Sequence, residues 1–65
     1  MSHKDLYAEI NSLKNQIDDH EKNFDIALQN PGQLGYAKQI YRSIKVLEER
    51  LTELKILLNQ KLKPD

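Results

Sequence analysis

The chain predicts an all-α fold: an antiparallel two-helix hairpin of coiled-coil type, closing into a four-helix bundle by homodimerisation. Three observations carry this. In the first half, Leu6, Ile10, Leu13, Ile17, His20, Phe24 and Ala27 recur at alternating steps of four and three. In the second half, Ala37, Ile40, Ile44, Leu47, Leu51, Leu54 and Leu58 recur at three and four, so the two stripes are mirror images. Between them stands Asn30-Pro31-Gly32, a sequence that reverses a chain. Folding there sets every stripe residue against a partner such that the two numbers sum to 64, from Ala27/Ala37 beside the turn to Leu6/Leu58 at the open end. Seven successive layers without a slip define a heptad seam.

The elements follow in order, as one domain spanning residues 1–65. Helix 1 is expected over about residues 3–29, with Ser2 as N-cap and Asp5 closing a capping box. Residues 30–33 form the turn. Asn30-Pro31-Gly32-Gln33 fits a type II turn with Gly32 at positive φ, and equally fits Asn30 as N-cap with Pro31 opening helix 2. Helix 2 is expected over about residues 34–62, ended by Pro64 with Lys61 and Lys63 on the negative end of its dipole. Gly35 in its first turn costs about 1 kcal/mol relative to Ala, which suggests a close backbone approach or a frayed start. On the flanks, the register sets Lys14 against Glu48, Gln16 against Arg50, and Glu9 toward Leu57; Asp18 and Lys22 are spaced for a surface ion pair.

Composition narrows the function. Ten basic and ten acidic residues cancel, so no global field draws the chain to nucleic acid or anionic lipid. No apolar run is long enough to span a membrane, and no apolar segment follows the N-terminus as a secretory signal would require. Without cysteine, neither disulfides nor thiolate metal sites can form. A cytoplasmic location is the default. A single seam with two wet outer faces is little core for 65 residues, so burial by self-association or on a protein partner is expected.

Candidate chemistry is sparse. Ser2, Ser12, Ser43 and Thr52 have no histidine placed to activate them, and no glycine-rich phosphate loop exists, so no enzyme and no cofactor are expected. Asp18, Asp19, His20 and Glu21 point in successive directions about 100° apart and cannot converge on a metal ion. His20 is the one polar residue inside the stripe: a register-setting polar layer or a partly exposed ring, with a pH-sensitive or ligand-holding core residue as the alternative. Lys38, Arg42 and Lys45, near Tyr36, Gln39 and Tyr41, make a small basic patch with aromatics, the candidate nucleic-acid contact. More informative are the apolar residues outside the seam. Tyr7, Leu28, Leu34, Tyr41 and Leu62 all fall immediately after a seam position and align along one flank, and Leu57, which adds apolar area elsewhere, is the sixth residue expected at an interface. An aligned flank with tyrosines is how a protein interface looks.

The run Tyr36-Ala37-Lys38-Gln39-Ile40-Tyr41, followed by Val46-Leu47-Glu48 and the periodic Leu51, Leu54, Leu57 and Leu58, resembles the small two-helix co-chaperones of type III secretion needle subunits. The resemblance covers the second half of the chain; helix 1, with His20 and its acidic run, departs from that pattern. It implies a cytoplasmic helical hairpin that docks on a repeat-type helical chaperone, with Tyr41, Leu47, Leu51 and Leu54 on or near the partner side. The expected function is therefore a non-catalytic protein-interaction module, a small chaperone or adaptor. The alternatives are a dimeric four-helix-bundle regulator that binds RNA or DNA, and a self-assembling structural bundle of phage type.

Overall fold

The computed structural model describes residues 3–62, and these form two helices packed against each other with no strand among them. Helix α1 spans His3–Leu28, a short 3₁₀ turn spans Pro31–Gln33, and helix α2 spans Leu34–Leu62. The pair forms a rod measuring 53 × 15 × 14 Å. Ser2, Lys63 and Pro64, expected to cap or stop the helices, lie outside the described residues.

The seam follows the heptad residue by residue. Every buried residue among those described is a stripe residue: Leu6, Ile10, Leu13, Ile17 and Ala27 on α1, and Ala37, Ile40, Ile44 and Leu54 on α2. The remaining stripe residues, His20, Phe24, Leu47, Leu51 and Leu58, are half-buried. Off the stripe, Glu9 is the one described residue that is half-buried. No polar side chain is buried, so among the described residues the core is held by apolar burial alone. It divides into two clusters. Ile17, Ala27, Ala37, Ile40 and Ile44 pack near the turn, and Leu6, Ile10, Leu13 and Leu54 pack near the open end. Leu47 and Leu51 pack against both.

The turn resolves the two readings of the corner. No described residue has positive φ, Gly32 included, so the type II turn is excluded. Asn30 instead adopts an extended N-cap conformation (φ −112°, ψ 108°) with Pro31 opening the 3₁₀ turn, which runs directly into α2. The Asn30 side chain does not cap that turn. Its Nδ2 donates backward to the carbonyl of Ile26 at 2.9 Å, satisfying an end group of α1 that has no partner within the helix. The backbone N–H groups of Gln29 and Asn30 donate to Ile26 and Ala27 at 3.2 Å each, tightening the last turn so that α1 stops at Leu28 rather than Gln29.

Gly35 corrects the sequence reading. A Cβ built there meets nothing within 4 Å and its φ is not positive, so neither close approach nor backbone freedom requires glycine. Gly35→Ala is therefore expected to stabilise the hairpin by about 1 kcal/mol, from the lower entropy of the unfolded chain and the higher helix propensity of alanine. Thermal unfolding followed by circular dichroism checks this, and a lowered midpoint would mean that the first turn of α2 has a constraint beyond its contacts.

Candidate interaction surface

Labelling the heptad so that seam residues occupy positions a and d, the two flanks are the e row, after each d residue, and the g row, before each a residue. In an antiparallel pair the e rows of both helices share one side and the g rows share the other.

The g side holds an ion pair that crosses the seam, centred on Arg50. Arg50 Nη2 lies 3.3 Å from Glu9 Oε1, and its Nη1 lies 3.5 Å from Glu53 Oε2. Arg50 thus takes Glu9 rather than the expected Gln16, whose Nε2 donates to Ser12 Oγ at 3.2 Å. The physical reason is that a g residue sits between two g residues of the facing helix, seven apart in sequence. The guanidinium takes the charged oxygen over the neutral amide. Glu9, expected near Leu57, is drawn partly under cover by this contact. Gln16, His20, Arg42, Ser43, Val46 and Leu47 border an open groove on this side. His20 is not a dry polar layer. Its half-exposed ring donates from Nδ1 to the carbonyl of Gln16 at 2.8 Å, a bond within its own helix. Ser43 borders the same groove but makes no hydrogen bond to His20.

The e side is different. Tyr7, Leu28, Leu34, Tyr41 and Leu62 are all there, each between 49% and 53% exposed. Near the turn, the Tyr41 ring lies 6.0 Å from the Phe24 ring at a 41° tilt, and Lys45 Nζ sits 5.1 Å over the Tyr41 ring centre. These contacts hold Tyr41 upright on the surface without burying it. Leu57, the sixth expected interface residue, belongs to the g row on the opposite side and at 38% is the least exposed of the large apolar surface residues. It does not share a surface with the other five.

Two expected flank pairs do not form. Glu48 lies 3.8 Å from Lys45, one turn earlier in its own helix, rather than against Lys14. Asp18 and Lys22 do not close to ion-pair distance. Both outcomes fit the low worth of exposed ion pairs, which do not hold long side chains in one geometry.

Lys38, Arg42 and Lys45 are all exposed on the outer surface of α2. Lys45 is engaged by Glu48 and the Tyr41 ring, which reduces the patch as an electrostatic footprint. Of the four residues that the family resemblance places on the partner side, only Tyr41 is open. Leu54 is 2% exposed, and Leu47 and Leu51 are half-buried in the hairpin's own seam. Among the described residues no helix is long and apolar enough to cross a membrane, and no three His, Asp or Glu side chains come together as a metal site would need. Compared with known protein families, curated proteins and solved structures, the chain matches none.

Proposed function

We propose that this chain is a non-catalytic interaction module, a small cytoplasmic chaperone or adaptor that works by laying the e side of its hairpin against another helical surface. The observation that carries this reading is the alignment of Tyr7, Leu28, Leu34, Tyr41 and Leu62 on one side of the rod, each half-exposed. Single apolar residues scattered over a surface have no such order. Tyr41 is the anchor: an aromatic ring flanked by Phe24 and Lys45 and still 49% exposed. The resemblance to needle-subunit co-chaperones agrees with this reading at Tyr41.

Tyr41→Asp is expected to weaken association about tenfold or more while leaving the helices intact. Inside the hairpin, the Tyr41 ring gains no more than about 1 kcal/mol from Phe24 and a similar amount from Lys45. The measurement uses tagged wild-type and variant chains as bait at low salt, with circular dichroism on both. A protein retained stoichiometrically by the wild type and lost by the equally helical variant supports the module. Retention that ignores Tyr41, or retention only of nucleic acid that fades steeply with salt and depends on Lys38, Arg42 and Lys45, overturns it in favour of phosphate binding.

A further inference from the structure

We infer that the e side docks on a second copy of this chain, packed antiparallel so that the turn of one hairpin lies over the open end of the other. This rests on the module reading and names its partner. Along α1 the e row reads Tyr7, Lys14, Glu21, Leu28; along α2 it reads Leu34, Tyr41, Glu48, Lys55, Leu62. Turned end over end, each row matches itself. On α1, Tyr7 falls on Leu28 of the second copy and Lys14 on Glu21. On α2, Leu34 falls on Leu62 and Tyr41 on Lys55, a pair suited to cation–π contact. The centre of the first row lies between Lys14 and Glu21, and the centre of the second is Glu48. The seam register puts these two centres within about 2 Å of the same height at 1.5 Å rise per residue, so one twofold axis serves both helices. An isologous contact requires that coincidence.

The charges are free to be used this way. Lys14, Glu21 and Lys55 are exposed, and among the described residues none of them enters an ion pair within the hairpin. Glu48 meets its own copy on the axis, and Lys45, 3.8 Å away in the same chain, offsets that repulsion. Size agrees. One side of a 53 × 15 × 14 Å rod offers on the order of 800 Å² per copy, the usual share of a stable interface. The rod exposes 5060 Å², whereas a compact protein of its mass exposes about 4,300 Å². The parallel alternative, with an axis along the rod, also sets Lys14 over Glu48. It fits less well, because Glu21 then falls on Tyr41 and Leu62 overhangs the end of the partner's α1.

The test combines sedimentation equilibrium with a spin-label distance. The chain has no cysteine, and Gly32 has open space around its Cβ position, so Gly32→Cys labels the turn alone. A dimer with turn-to-turn separation of about 45 Å is expected from the helical rise. Lys14→Glu should raise the dissociation constant on the order of tenfold, since it converts two attractions into repulsions, and adding Glu21→Lys should restore it. A dimer with labels within about 20 Å, or one in which Lys14→Glu is rescued by Glu48→Lys instead, overturns the antiparallel arrangement. A monomer at every concentration overturns the second copy as the partner. The module reading itself would then fail only if Tyr41→Asp also left capture of other proteins unchanged.

Discussion

Leu54→Ala is expected to remove about half of the hairpin's stability. Leu54 is 2% exposed and, with Leu6, is one of the two largest fully buried side chains. It is the one fully buried α2 residue in the open-end cluster, facing Leu6, Ile10 and Leu13. Truncating a buried leucine costs about 2–5 kcal/mol, whereas a domain of this length has about 3–10 kcal/mol in total at the usual stability per residue. The loss therefore takes about half of what holds the fold and shows as a clearly lowered unfolding midpoint. Far-ultraviolet circular dichroism reads the outcome directly. Ile56→Ala, two residues along and 54% exposed, is the internal control and should change stability by no more than about 0.5 kcal/mol. Equal losses at the two positions would contradict the assignment of the seam.

Ala37→Leu is expected to lower the unfolding midpoint by roughly 10 °C, from an overpacking cost of about 1–3 kcal/mol. Ala37 and Ala27 are 2% and 1% exposed and form the layer with the smallest side chains, one step from the turn. Elsewhere along the rod the helices can splay to admit a larger side chain. Here the short Pro31–Gln33 connection ties them together, so the added volume has nowhere to go. A differential scanning measurement that finds the midpoint unchanged would mean the layer has slack despite its burial.

The seam was legible in the sequence because apolar burial has a period, and a period survives without coordinates. His20 shows where that legibility ends. Its stripe position fits a buried polar layer as well as a partly exposed ring. A ring that bonds its own helix can stay half in water, and no periodicity reports that choice. Arg50 shows the same limit for charges: heptad geometry offers it both Gln16 and Glu9, and the pairing follows from which of them is ionised. At the turn, Pro31-Gly32 permits two geometries, and the backbone takes the one that leaves Asn30 free to reach back to Ile26. For the candidate surface, the row of Tyr7, Leu28, Leu34, Tyr41 and Leu62 was visible by spacing alone. The separation of Leu57 from it follows from the side of the seam each residue occupies, and the bracing of Tyr41 by Phe24 required side-chain positions.

The division of the core into two clusters joined, among the described residues, through Leu47 and Leu51 has a mechanical consequence. One cluster is tethered by a covalent bend and the other is not, so thermal fluctuation acts on them unequally. The portion away from the bend is expected to open first, with Leu6 and Leu58 parting while Ile40 and Ile44 stay docked, an order that hydrogen exchange would read. The hairpin is expected to open as tweezers do, hinged at its bend, with the tips parting before the base.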